Sequence, residues 1–333
     1  MIKIRIVITD EGEKHVKKIW KNRYQILEEK GSGGNGKVYR VWDLHLEKEW
    51  AMKILEENIF WVGGQEKDER MDELAALKKI SHPNFPRIVD AFEEERKNIL
   101  IMDYIKGVTL DAMIRKGAFR EEEMIPVLLQ ICDAILYLHQ STPPLLYLDL
   151  KPANIILEEN NHVRLVDLGS AYVCFKDKKQ RISGTKYFAP KEQCGQRKDK
   201  NAGTPDVRTD IYAFGMTLYY LLTGGKKEQR RGGKLCIKDV NPSVSWGMSH
   251  IIEKCTMEKP EQRYQSMEEV LEQLQHVRRI GRQKESKIRI QRGAVSACKI
   301  VCAFLVLYFA YCHQYKEVMA YLDMWNSFFA ALP

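Results

Sequence analysis

Between Tyr147 and Leu157 the chain reads Tyr-Leu-Asp-Leu-Lys-Pro-Ala-Asn-Ile-Ile-Leu. Asp149, Lys151 and Asn154 therefore lie in one turn-like stretch that gives way to an apolar run. A strand-like Val163-Arg164-Leu165-Val166 follows, and then Asp167-Leu168-Gly169. A fold that uses these groups together must bring two short strand ends and their loops to one place, so that two carboxylates and one amide share a site. That donor set suits Mg²⁺, which takes one or two carboxylates together with phosphate oxygens and water. It also offers a base for a hydroxyl that must lose its proton.

A length of 333 residues fits one large or two small domains, and 44% hydrophobic residues are enough for a sizeable core. The net charge of +8 raises the question of nucleic acid or anionic membrane. Much of the excess sits in one run, Arg278 to Arg292, which argues against a basic face across the protein, and no nucleic acid is expected. The eight cysteines form no Cys-x-x-Cys pair, as expected for reduced thiols in a cytosolic domain. Met1–Thr9 alternates apolar and basic residues as a half-buried strand does, unlike a signal peptide. Glu11–Lys21 is polar, a helix or a linker, and residues 1–22 read as an N-terminal extension.

Arg23–Lys30 reads as a strand running into Gly31-Ser32-Gly33-Gly34-Asn35-Gly36-Lys37-Val38. A β-rich stretch follows where a dinucleotide fold would begin a helix. A hairpin lying over nucleotide phosphates fits better, since glycines allow close approach of the backbone, although a plain glycine-rich hairpin has the same pattern. Trp50–Leu55 is an apolar strand interrupted by Lys53, either a surface lysine or one held by a partner. Glu66–Ile80 has helical apolar spacing and stops before Pro83. Phe85–Phe92 and Ile99–Met102 are the next strands, and Glu121–His139 is a core helix in which His139 reads as a packing or capping residue.

Taken together, these motifs resemble a eukaryotic-type (Hanks-type) serine/threonine protein kinase over about Tyr24 to Val277, with wording near Asp210 similar to bacterial members. The resemblance implies an α+β bilobal fold: a small β-rich N-lobe over about 23–102 and a large, mainly α C-lobe over about 107–277. It implies ATP and Mg²⁺ as cofactors and proteins with Ser/Thr acceptors as substrates. Nucleotide contacts would come from Gly31, Ser32, Gly33, Gly34, Asn35, Gly36, Val38, Ala51, Lys53 and Ile156. Backbone groups of Asp103 and Ile105 would meet adenine, with Met102 behind them. Lys53 would grip the phosphates, held by Glu73, for which Glu69 is the one competitor. Asn154 and Asp167 would hold metal, Asp149 would orient the substrate hydroxyl, and Lys151 with Thr185 would mark Ser/Thr specificity. Glu192 would pair with Arg263, and Asp210 would brace the catalytic loop.

Three positions depart from the family pattern. Tyr147-Leu148-Asp149 replaces His-Arg-Asp, so the Arg that pairs with a phosphate on the activation loop is absent, and activity is expected not to require that phosphate. Leu168 replaces Phe in the metal-binding triplet, in an expected column of Leu77, Ile88, Tyr147 and Leu168 resting on Asp210. Ala189-Pro190-Lys191-Glu192 carries one extra residue, which leaves the substrate-side loop open in geometry. A binding scaffold built on the same fold is the alternative function; the presence of Lys53, Glu73, Asp149, Asn154 and Asp167 together favours an enzyme.

Beyond the kinase-like region lies a basic linker, 278–293, and an apolar stretch, 294–312, interrupted by Lys299. Its length and basic flank suggest a single-pass transmembrane helix anchoring a cytoplasmic kinase at the cell membrane. An interfacial helix or one packed on a wholly cytoplasmic kinase is the alternative. Residues 313–333 form a short tail.

Overall fold

Strand alternation organises the N-terminal part of the chain. On β5 (Lys48–Leu55), Trp50 and Met52 point to one face and Lys53 and Leu55 to the other. β7 (Lys97–Asp103) answers with Ile99 and Ile101 on the first face and Leu100 and Met102 on the second. The first face closes a core with Trp20, Tyr24 and Val41. The second, with Ala51 and Ala91, carries Lys53. The computed structural model describes residues 3–8, 14–33, 36–55, 78–95, 97–167, 172–173, 185, 187–194, 204–226, 228, 230–231 and 234–277, and 304–305, 307–308, 311, 315–316 and 318–324 near the C-terminus.

The N-lobe sheet has seven strands in the order β1-β2-β3-β4-β5-β7-β6, with all neighbours antiparallel. The others are β1 (Lys3–Ile8), β2 (Lys14–Trp20), β3 (Tyr24–Gly33), β4 (Gly36–Asp43) and β6 (Ile88–Glu94). The expectation of a helix or linker over Glu11–Lys21 is therefore corrected. Most of it is strand β2, and the extension adds two strands to the sheet. Its signal was weak because Lys17 and Lys18 break the apolar alternation, so pairing with β3 (Ile19 opposite Gln25, Trp20 opposite Tyr24) decides its conformation. Gly36 shows why the hairpin needs glycine. Its φ is +113°, and a Cβ there would fall 2.0 Å from the Ile54 carbonyl oxygen.

The C-lobe is built on α1 (Leu110–Ile114) and α2 (Glu121–His139), α4 (Val207–Thr223), α6 (Trp246–Cys255) and α7 (Met267–Gln275), with short helices α3 (Lys191–Cys194) and α5 (Ile237–Val240) between them. Helix α2 buries Leu128, Ile131, Ile135 and Leu138 at helical spacing. Helix α4 starts at Asp206, whose carboxylate accepts from Arg208 N, and ends at Gly224 with φ +69°. Short strands β8 (Val108–Thr109), β10 (Ile155–Leu157) and β11 (Val163–Leu165) form a small sheet, and β9 (Leu145–Leu146) pairs with β12 (Tyr172–Val173).

Met1–Val277 and Arg278–Pro333 form separate compact units. The expected spanning stretch 294–312 lies mostly outside the described residues; Phe304, Leu305, Leu307, Tyr308 and Tyr311 within it are helical and exposed. Among the described residues no helix is long and apolar enough to cross a membrane, and the membrane anchor is not supported.

Candidate active site

Asp210, on the first turn of α4, has no solvent exposure and organises the loop below the sheet. Its carboxylate accepts from Tyr147 N and Leu148 N, both at 2.8 Å, and lies 2.9 Å from His139 Nε2. His139 thus packs against this brace, as its place on an apolar helix suggested. Two backbone donors bound to one carboxylate hold Leu148 at φ +61°, a left-handed conformation that costs a non-glycine residue energy unless its surroundings enforce it. The strained turn presents Asp149.

Asp149 lies at the centre of four sequence-predicted residues. Lys151 Nζ donates to Asp149 Oδ2 at 2.8 Å, and Thr185 Oγ1 donates to Asp149 Oδ1 at 2.8 Å. Lys151 Nζ also donates to Thr185 Oγ1 at 2.9 Å. Asn154 Nδ2 donates to both the backbone oxygen and Oδ2 of Asp149, each at 2.9 Å. Asp149 and Asn154 are buried, so these bonds act where solvent competes little.

The second carboxylate arrives on β11. Ile155 pairs with Leu165, and Val166 N donates to Asn154 O at 2.9 Å, which fixes the strand beside the loop. Tyr147 Oη donates to Val166 O, and burial followed by the charges of Asp167, Asp149 and Asp210 raises the Tyr147 pKa, so it stays a neutral donor. Asp167 follows at φ +74° and pairs with Lys53, whose side chain is almost wholly enclosed. The Asn154 amide nitrogen is committed to Asp149, so its carbonyl oxygen is the group that could accept a cation. With the Asp167 carboxylate it could supply oxygen donors of the kind Mg²⁺ takes.

The expected nucleotide walls are part of the same lobe interface. Val38 lies opposite Lys53, and Ala51 opposite Met102. Ser32 pairs with Lys37 and Gly33 with Gly36, and Ile156 is half-buried opposite Thr109 on β8. The Asp103 N–H is spent on Arg87 O at 3.1 Å, so its carbonyl is the Asp103 backbone group that could serve adenine. Gly34, Asn35, Glu69, Glu73, Leu77 and Leu168 lie outside the described residues, as do most of the helix expected over Glu66–Ile80, Ser170 and Ser183. Of the expected apolar column, Tyr147 is fully buried and Ile88 packs against the C-lobe core.

On the substrate side, Thr185 O accepts from Phe188 N at 2.8 Å and Ala189 N at 3.0 Å. Glu192 keeps its expected pairing: Arg263 reaches it with both terminal guanidinium nitrogens, NH1 at 2.5 Å and NH2 at 3.3 Å. Two residues were missed by sequence reasoning. Gln193 is buried and donates to Leu148 O at 2.7 Å, and Asn84 donates to Val163 O at 2.7 Å while its own oxygen receives Leu165 N. Their targets are main-chain atoms, which leave no side-chain pattern. Adjacency to Glu192 and the Pro83-Asn84 stop were the only hints.

A β-rich lobe over a helical lobe, with a lysine–aspartate pair and a braced Asp–Asn loop between them, defines a protein kinase fold. Residues 24–288 match the protein kinase domain family, and the chain belongs to that family. It is 28% identical over 286 residues to serine/threonine-protein kinase PrkC of Bacillus subtilis, covering 81% of this chain and 42% of that protein. It is 29% identical over 220 residues to serine/threonine-protein kinase PknB of Mycolicibacterium smegmatis, covering 61% and 33%. It therefore resembles bacterial members of the Hanks-type serine/threonine kinases. The crystal structure of the Mycobacterium tuberculosis PknI kinase domain superposes with a TM-score of 0.60 over 78% of this chain and 98% of that domain. At 19% identity that likeness is one of fold. The chain spans about two fifths of the length of the curated relatives it first matches.

Proposed function

We propose that the chain transfers the γ-phosphoryl group of ATP to Ser or Thr hydroxyls of proteins, and does so without phosphate on its activation loop. The observation that carries the reading is the knot of Asp149, Lys151, Asn154 and Thr185, in which one carboxylate, one ammonium, one amide and one hydroxyl converge within 2.8–2.9 Å. Phosphoryl transfer depends on positioning and charge neutralisation more than on covalent chemistry. Asn154 and Asp167 would hold Mg²⁺, which supplies neutralisation of phosphate charge when bound; Lys53 would orient the phosphates with Glu73 as its partner, and the β3–β4 hairpin would cover them. Asp149 orients the acceptor hydroxyl and takes its proton, and Lys151 faces the transferred group.

Independence from loop phosphate rests on Leu148 and its surroundings. Leu148 is buried against Leu146 with Val207 alongside, so this position supplies an apolar side chain and no cation of its own to meet a phosphate. Among the described residues the segment is anchored near both ends. Its start pairs with the loop through β9 and β12, and its end is held by Lys151–Thr185, Gln193–Leu148 and Arg263–Glu192.

The test incubates the full chain with γ-labelled ATP, Mg²⁺ and a generic protein substrate beside an Asp149→Asn control. Labelled phosphoserine or phosphothreonine above that control is expected; its absence from chain and substrate alike would refute the reading. Single Ala replacements at Ser170 and Ser183 should leave the rate unchanged, whereas Thr185→Ala should lower it through loss of the Asp149 contact.

A further inference from the structure

The register of β3 against β4 slips twice, first at Leu27 and again at Lys30, where the glycine-rich turn begins. Glu29 lies opposite Tyr39 and Gly31 opposite Val38, so Lys30 is the extra residue of a β-bulge. Bulges bend a strand and re-aim the side chain they leave unpaired. Lys30 Nζ comes 5.8 Å from the centroid of the Tyr104 ring, and the Arg40 guanidinium carbon lies 5.7 Å from the same ring. Glu28 Oε1 binds both cations, Lys30 Nζ at 2.9 Å and Arg40 Nε at 2.7 Å. Arg40 continues to Glu49 on β5 at 3.2 Å. Glu28, followed by hydrogen bonding to Tyr104, raises the Lys30 pKa, so the ammonium stays charged across the neutral range.

Tyr104 lies between Asp103 and Ile105, the residues whose backbone would meet adenine, and Lys30 directly precedes Gly31 at the root of the hairpin. We propose that Lys30 is a positioning residue for the nucleotide: it latches the root of the glycine-rich hairpin to the Tyr104 ring and so sets the height of the slot between the hairpin and the Asp103–Ile105 segment. The latch rests on the kinase reading above. Its chemistry is two cations close to one aromatic ring, tied by a shared carboxylate and linking β3 and β4 to Tyr104. A cation–ring contact at a partly exposed site of this kind changes an equilibrium roughly two- to five-fold. Because the latch acts on the slot and touches no reacting atom, its loss changes nucleotide affinity and leaves the chemical step alone.

The test measures KM for ATP, kcat and melting temperature of the full chain for wild type, Lys30→Ala, Lys30→Arg and Tyr104→Leu. The latch predicts a KM for ATP raised roughly two- to five-fold in Lys30→Ala and Tyr104→Leu, with kcat and melting temperature held, and recovery in Lys30→Arg, which restores a cation over the ring. An unchanged KM in Lys30→Ala, with the wild type active, overturns the latch and leaves the kinase reading standing. A fall in kcat or melting temperature as large as the change in KM assigns Lys30 a merely structural role and also overturns it. A wild type that neither binds nor turns over ATP overturns both.

Discussion

Replacing Asp210 by Ala removes a fully buried carboxylate that accepts two backbone N–H groups at 2.8 Å and meets His139 at 2.9 Å. Hydrogen bonds to a charged group contribute about 1.5–3 kcal/mol each, and each donor left buried without an acceptor costs about 1–3 kcal/mol. These contributions overlap, so we expect a loss of about 4 kcal/mol, a large part of the roughly 5–15 kcal/mol that stabilises a domain. At about 2–4 °C per kcal/mol, the melting temperature should fall by roughly 8–16 °C. Without the carboxylate the Tyr147 and Leu148 N–H groups lose the acceptor that holds Leu148 at φ +61°, and Asp149 moves with it. A displacement of about 1 Å at a reacting group costs roughly 100-fold in rate. Calorimetry gives the first quantity, and steady-state phosphotransfer at 20 °C, well below both melting points, gives the second. A melting temperature within 2 °C of wild type together with an unchanged kcat would refute the idea that Asp210 braces the loop.

Three further outcomes follow from buried charge. Burial pushes the Asp43 carboxyl up, but the Arg23 guanidinium and the His45 and Leu46 N–H groups outweigh it and hold the pKa at about 2. Because the folded pKa lies below the unfolded value of about 3.9, the contribution, roughly 2 kcal/mol, is complete above pH 4 and is lost as pH falls from about 4 to 2. Asp43→Asn should flatten that limb of the stability curve; identical curves for the two proteins would count against the assignment. Arg263 spends all five of its N–H groups, two on Glu192 and one each on Met257 O, Arg208 O and Glu258 O. Lysine has three donors, so Arg263→Lys should cost about 2 kcal/mol by thermal or urea unfolding, and a loss under about 0.5 kcal/mol would contradict the fork geometry. Leu148→Arg would place a cation among Leu146 and Val207, and should destabilise by about 3–5 kcal/mol without making activity depend on loop phosphate; a wild-type melting temperature would show that the pocket accepts the charge.

The catalytic loop was legible because its chemistry is local. Asp149, Lys151 and Asn154 sit within one turn, and their spacing alone suggested a shared site. Glu192 and Arg263 meet across 71 residues, and only the family resemblance could pair them. Strand β2 was obscured because Lys17 and Lys18 interrupt its alternation, and pairing with β1 and β3 on either side supplies what propensity lacks. Gln193 and Asn84 were invisible for another reason: their partners are the main-chain oxygens of Leu148 and Val163, whose positions follow from the fold and from no side-chain pattern. For the apolar stretch 294–312, hydropathy suggested a span that the described residues do not support.

The central claim is that the Asp149 knot performs phosphotransfer while Leu148 frees it from loop phosphorylation. It is tested most directly by treating the full chain with phosphatase, verifying by mass that no phosphate remains, and measuring the initial rate of labelled phosphate transfer to a protein substrate. The account predicts a rate within about two-fold of the untreated enzyme and far above Asp149→Asn. A rate at the level of that variant, recovered only after phosphate returns to the loop, would contradict it.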